Sequence, residues 1–100
     1  GPVFETRLGR AALASFARSL ATSYTAGVPL LDALGTVARV CGGELHERAV
    51  LRLRQDMANG LGLHRAMAGE VLFPPLLVQL TAIGESSGTL DQTLDKAASH

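Results

Sequence analysis

Phe16-Ala17-Arg18-Ser19-Leu20-Ala21-Thr22-Ser23-Tyr24-Thr25-Ala26-Gly27-Val28-Pro29-Leu30-Leu31-Asp32-Ala33-Leu34 is the stretch that decides the fold. Leu13, Phe16, Leu20 and Tyr24, with Ala12, Ala17 and Ala21 beside them, recur at the three-and-four spacing of one helical stripe. Gly27 supplies the left-handed position at which helices stop, and Pro29 stands where a new helix can begin without losing a needed N–H. The stretch therefore reads as helix, glycine turn, helix. The expected first helix runs from about residue 8 to 26 and the second from 29 to 41, with Leu30, Leu34, Val37, Ala38 and Cys41 along its inner stripe.

The same reading extends down the chain. Glu44 to Ala58 carries Leu45, Ala49, Val50, Leu53 and Met57 inward, with Glu44–Arg48 and Arg52–Asp56 as opposite charges four residues apart outside. Asn59-Gly60 ends this third helix, and a short fourth is expected over 63–68. Phe73-Pro74-Pro75 forces an extended entry into the next element. Leu76, Leu80 and Ile83 mark the inner stripe of a fifth helix, which stops near Ser86 to Gly88. Thr89 and Gln92 have capping-box spacing, and Leu90, Leu94 and Ala97 follow as a sixth stripe. The turn positions are Gly27, Pro29, Gly60, Pro74, Gly84 and Gly88. The fold class is all-α, a bundle of six antiparallel helices in three helical hairpins. A loose repeat of about thirty residues relates the turns at Gly27, Gly60 and Gly88, too weak for a solenoid.

Composition agrees with helices and narrows the function. Of 100 residues, 47% are hydrophobic but only 4% aromatic, and the Ala- and Leu-rich apolar mass disfavours an all-β fold. Such a length makes one domain, burying about 65% of its unfolded surface. Gly1-Pro2 reads as the scar of a cleaved tag, and residues 3–100 as a single domain cut from a longer chain. Nine Lys plus Arg balance nine Asp plus Glu, so no positive field spans the chain to hold a polyanion. The lone Cys41 forms no internal disulfide. The longest run without charge, Val71 to Gly84, has fourteen residues and two prolines, whereas a membrane-spanning helix needs about 20.

No residue set carries chemistry. Gly84-Glu85-Ser86-Ser87-Gly88 has the letters of a nucleophile elbow, but a helix precedes it where the motif needs a strand, and the sole downstream histidine is His100. His46, His64 and His100 are scattered, without metal-ligand spacing. Glu85, Asp91 and Asp95 form a carboxylate-rich stretch that lacks the alternating oxygens of a calcium loop, and favourable charge at a helix start is its ordinary reading. No metal, cofactor or catalytic residue is expected. Arg48, Arg52 and Arg54 are the basic cluster. Acidic neighbours and the lack of stacking aromatics make it a poor nucleic-acid footprint, although a helix-turn-helix nucleic-acid-binding domain is the alternative. The expected partner-binding residues are Arg48, Arg52, Glu85 and Asp91.

Ala26-Gly27-Val28-Pro29-Leu30-Leu31-Asp32-Ala33-Leu34, the middle Gly60-x-x-Leu63-x-x-Ala66-Met67, and Leu72-Phe73-Pro74-Pro75-Leu76 through Gly84-Glu85-Ser86-Ser87-Gly88-Thr89-Leu90 form an ordered set. With it the chain resembles, from Leu13 to Ala97, the cytoplasmic domain of the inner-membrane platform proteins of type II secretion and type IV pilus machines. Gly62 and Gly69 depart from the family pattern and loosen the fourth helix. The resemblance implies a longer bacterial inner-membrane parent with two related helical domains and a few membrane helices. The opening Phe16-x-Arg18-x-Leu20 and the Pro29-Leu30-Leu31 turn resemble the first copy. It implies a non-enzymatic structural or adaptor role, with the assembly ATPase, inner-membrane platform subunits and a second copy of the chain as partners, and the membrane reached only through the parent.

Overall fold

The 3.6-residue periodicity becomes six α-helices and no strand among the described residues of the computed structural model, which are 9–40 and 42–99. They are α1 (Arg10–Thr25), α2 (Leu30–Val37), α3 (Glu44–Ala58), α4 (Leu63–Ala68), α5 (Pro75–Ser87) and α6 (Leu90–Ser99). The expectations for Gly1, Pro2, Cys41 and His100 lie outside the described residues.

Three of the breaks share one device. Gly27, Gly60 and Gly88 have φ of 90°, 111° and 74°, the left-handed region that costs any side chain dearly. At the first, Val28 N–H donates to Ser23 O and Gly27 N–H to Tyr24 O, each at 3.0 Å. At the second, Leu61 N–H donates to Asp56 O at 3.1 Å and Gly60 N–H to Met57 O at 3.0 Å. Both close the last carbonyls of a helix in a Schellman motif. Thr89 N–H reaches back to Gly84 O at 2.8 Å at the third. Pro29 and Pro74 are extended caps, with ψ of 142° and 143°, and the helices they introduce begin one residue later.

Each helix packs on its neighbours in the chain, and α1 closes against α6, so the helices surround one core. Phe16, Leu20, Leu34, Leu53, Leu63, Met67 and Leu94 lie at its centre, fully buried. Phe73, from the segment before α5, enters the core and meets Phe16 with ring centroids 5.1 Å apart, a favourable tilted aromatic pair.

Several expectations are corrected. Helix α2 is shorter than 29–41, ending at Val37, because Arg39 and Val40 donate to Thr36 O and Val37 O in tighter i→i+3 turns. Leu45 is 69% exposed rather than inward, since α3 meets the core through Ala49, Val50 and Leu53. Gly84 is not a turn residue but lies within α5. A Cβ there would meet Thr93 Oγ1 at 2.6 Å and Leu90 Cα at 3.2 Å, so it is the point of closest approach between α5 and α6. That contact also reverses the predicted face of α5. Leu77, Thr81 and Gly84 are buried, while Leu76, Leu80 and Ile83 are 65%, 43% and 63% exposed. The Thr89 hydroxyl pairs with Ser87 Oγ at 2.8 Å across the turn, in place of the expected capping box with Gln92.

Candidate protein-binding surfaces

The three arginines of α3 are all engaged by groups of the same chain. Arg48 Nη2 donates to Glu44 Oε1 at 2.5 Å, the expected i,i+4 pair. Arg52 does not pair with Asp56. It reaches Glu70 beyond α4 and grips both carboxylate oxygens, Nε to Oε2 at 3.0 Å and Nη2 to Oε1 at 2.8 Å. The hydrogen bond and then the charge of Glu70 hold the Arg52 guanidinium above its ordinary value. Arg54 Nε donates to Leu31 O at 2.6 Å, tying α3 to the first turn of α2. A basic cluster so occupied offers little to a phosphate backbone, which needs cations free to displace counterions. Arg48 and Arg52 remain exposed and present a patterned, ion-paired surface of the kind that aids recognition more than stability.

Glu85 and Asp91, on either side of the α5–α6 turn, face different elements. Glu85 bends toward α4. Its Oε2 accepts from Leu63 N–H at 3.0 Å, and its Oε1 accepts from His64 N–H at 2.9 Å and lies 2.7 Å from His64 Nδ1. Burial pushes the Glu85 carboxyl up, but the hydrogen bonds from the His64 backbone, the His64 ring and Leu63 outweigh it and hold the group below the ordinary glutamate range. The cause is local: Gly62 caps α4 without a side chain, so the first free N–H groups of that helix take a carboxylate from elsewhere. Sequence reading missed this role. The one signal was a side-chain-less residue at a helix start.

Asp91 instead lines an open cleft of about 580 Å³ between α1 and α6, with Arg18, Ala21, Thr22, Ala26, Gln92 and Asp95. Arg18 Nη2 also donates to Ala98 O at 3.3 Å across that seam. The structure thus does not bring Glu85 together with Asp91 and Asp95 as one ligand set. Among the described residues no three His, Cys, Asp or Glu side chains converge as metal ligands. Ser86 lies within α5, so the Gly84-to-Gly88 letters form a helix end and not a strained elbow.

A second concavity, of about 420 Å³, lies where the start of α1, the start of α5 and the end of α6 meet. Its walls are almost wholly apolar, formed by Leu13, Leu76, Leu77, Leu80 and Ala97, with Arg10 and Lys96 as its charged lining residues. Leu76 and Leu80, read from sequence as core, are therefore surface residues of a groove. No helix among the described residues is long and apolar enough to cross a membrane.

Comparison with known proteins gives this geometry a context. The family described as type II secretion system (T2SS), protein F, matches residues 16–100. The chain is 78% identical over 99 residues to the type 4 fimbrial assembly protein PilC of Pseudomonas putida, an alignment covering 99% of this chain and 25% of that protein. It is 41% identical over 99 residues to the type IV pilus assembly protein PilC of Pseudomonas aeruginosa, covering 99% and 26%. It is also 36% identical over 85 residues to the type II secretion system protein F of that species, covering 85% and 21%. The chain spans about a quarter of the length of the curated relatives it matches.

Proposed function

The chain belongs to the type II secretion system protein F family, and from that premise we propose that it is a non-enzymatic protein-binding domain of an inner-membrane platform protein in a pilus-assembly or secretion machine. The observation that carries this reading is the identity of 78% across 99% of the chain with a type 4 fimbrial assembly protein. The domain stands on the cytoplasmic side as the first of two related copies in its parent, its helices paired as three antiparallel hairpins. It reaches the membrane only through the parent chain. Its partners are the assembly ATPase, the neighbouring inner-membrane subunits and a second copy of itself, and it uses no cofactor. The Arg48 and Arg52 face and the turn from Glu85 to Asp91 are the contact surfaces. Because Glu85 is committed to α4, Asp91 is the group that turn offers outward.

Capture of the purified assembly ATPase and membrane subunits by the chain tests this. The double variant Arg48→Glu, Arg52→Ala should lose capture while its circular dichroism stays helical, since both arginine side chains are mostly exposed and the Arg48–Glu44 pair contributes under about 1 kcal/mol to stability. Undiminished capture of every partner rejects this face, and turnover of a nucleotide or an ester by the purified chain rejects the non-enzymatic reading.

A further inference from the structure

Helix α4 is the shortest of the six described helices, and what holds its two ends comes from other helices. Six residues close too few internal hydrogen bonds to persist alone, since helices shorter than about 12 residues are marginal in water. The glycines at either end, Gly62 and Gly69, supply no side-chain cap. Glu85 of α5 holds the start, accepting the Leu63 and His64 N–H groups and meeting the His64 ring. Arg52 of α3 holds the end, gripping both carboxylate oxygens of Glu70 just beyond the helix. Between these clasps Leu63, Ala66 and Met67 are buried, and their spacing of three and four residues puts them on one face. A helix about 9 Å long with a single buried face pivots as a whole, so lifting one end unseats the other. Arg52 and Glu85 are also residues assigned above to two separate contact surfaces.

We propose that residues 60–70 form a strap that opens and closes as one unit, and that its two clasps couple the Arg48 and Arg52 face to the turn from Glu85 to Asp91. The coupling rests on the reading of those two surfaces as partner contacts. A partner group that draws Arg52 away leaves the Glu70 carboxylate, only 11% exposed, without its cation, and this loosens the end of the strap. Leu63 and His64 then lift with it, and Glu85 is released from their N–H groups to the turn. Contact at the turn that draws Glu85 away acts in the opposite direction, and such coupling is reciprocal. The two-state element is the strap itself, which both sites bias.

Native-state hydrogen exchange of the 100-residue chain, read amide by amide as protection factors, tests this without any partner. The amides of Leu63, His64, Ala66, Gly69 and Glu70 all donate hydrogen bonds in the closed strap. In the wild type they should share one protection factor, at least about tenfold below those of Leu20 in α1 and Leu94 in α6. Each clasp is then cut and the opposite end is watched. Arg52→Ala should lower protection at Leu63 and His64 by at least about threefold, and Glu85→Gln should do the same at Gly69 and Glu70. Both variants should keep a helical spectrum, with the strap still less protected than Leu20 and Leu94. An effect confined to the cut end overturns the proposal, as does a wild-type strap as well protected as Leu20 and Leu94. Global unfolding of either single variant overturns it too, because the strap would then be no separate unit. A strap that behaves as expected in a chain that captures no machine subunit would count against the platform role alone.

Discussion

Helices α3 and α5 are of similar length and share the same helical periodicity, yet charge marks the outer face of only one of them. In α3 the outward positions include Glu44, Arg48 and Arg52, so the inward face of Ala49, Val50 and Leu53 follows by exclusion, and only Leu45, at the uncovered first turn, departs from its expected inward place. Helix α5 has no charge before Glu85, and apolar residues stand all round it. Two stripes then compete: Leu76-Leu80-Ile83 and Leu77-Thr81-Gly84. The second is buried although it is the less hydrophobic, because Gly84 lets Leu90 and Thr93 of α6 approach so closely that any Cβ there would force Thr93 aside and crowd the Leu90 backbone. Hydrophobicity selects the inner face only where charge marks the outer one. Where charge is missing, the smallest side chains mark the closest contact.

The largest effect that could break this comparison comes from truncating the leucines of both helices. Leu53→Ala and Leu77→Ala should each lower the unfolding free energy by about 3 kcal/mol, whereas Leu45→Ala and Leu80→Ala should cost under about 1 kcal/mol. Urea melts of the four variants measure this directly. A costly Leu80→Ala would restore the sequence-derived face of α5.

Next in size is Gly84→Val, expected to destabilise by about 2 kcal/mol because the added carbons meet the Leu90 backbone as well as the Thr93 side chain. An exposed control, Gly43→Ala, has open space around its new Cβ. A harmless Gly84→Val would mean that α5 and α6 are free to move apart.

The smallest expected effect concerns the clasp between α5 and α4. The Glu85 carboxyl titrates lower in the folded chain than in the unfolded one, so its contribution is present above the ordinary glutamate value of 4.5 and is lost as pH falls through the folded-state value. Glu85→Gln should cost about 1 kcal/mol or less at neutral pH, discounted for its partial exposure. It should also flatten the stability profile below pH 4.5, the difference from wild type vanishing once the carboxyl is protonated. Parallel profiles for the two proteins across that range would remove Glu85 from the α4 cap.

What was legible in the chain were the breaks and the charged helix. Gly27, Gly60 and Gly88 announce their positive φ because few other residues tolerate it, and Glu44–Ala58 and Leu63–Ala68 fall where the stop signals put them. Contacts between distant positions were not legible. Arg52 had a partner four residues away in Asp56 and took Glu70, eighteen residues on, whose side chain is only 11% exposed and gains more from a bidentate neighbour. Glu85 looked like one member of a surface acidic stretch, because nothing local says that α4 lacks a cap of its own. The groove was hidden for the same reason as the face of α5: its leucines look like core until the packing of α6 is known.

The closure of α1 against α6 also fixes how the domain hangs from anything attached to it. Arg10, at the first turn of α1, lines the same groove as Lys96 and Ala97 near the last turn of α6. Chain joined at either end therefore meets the fold in one neighbourhood, like a bell on a single hook.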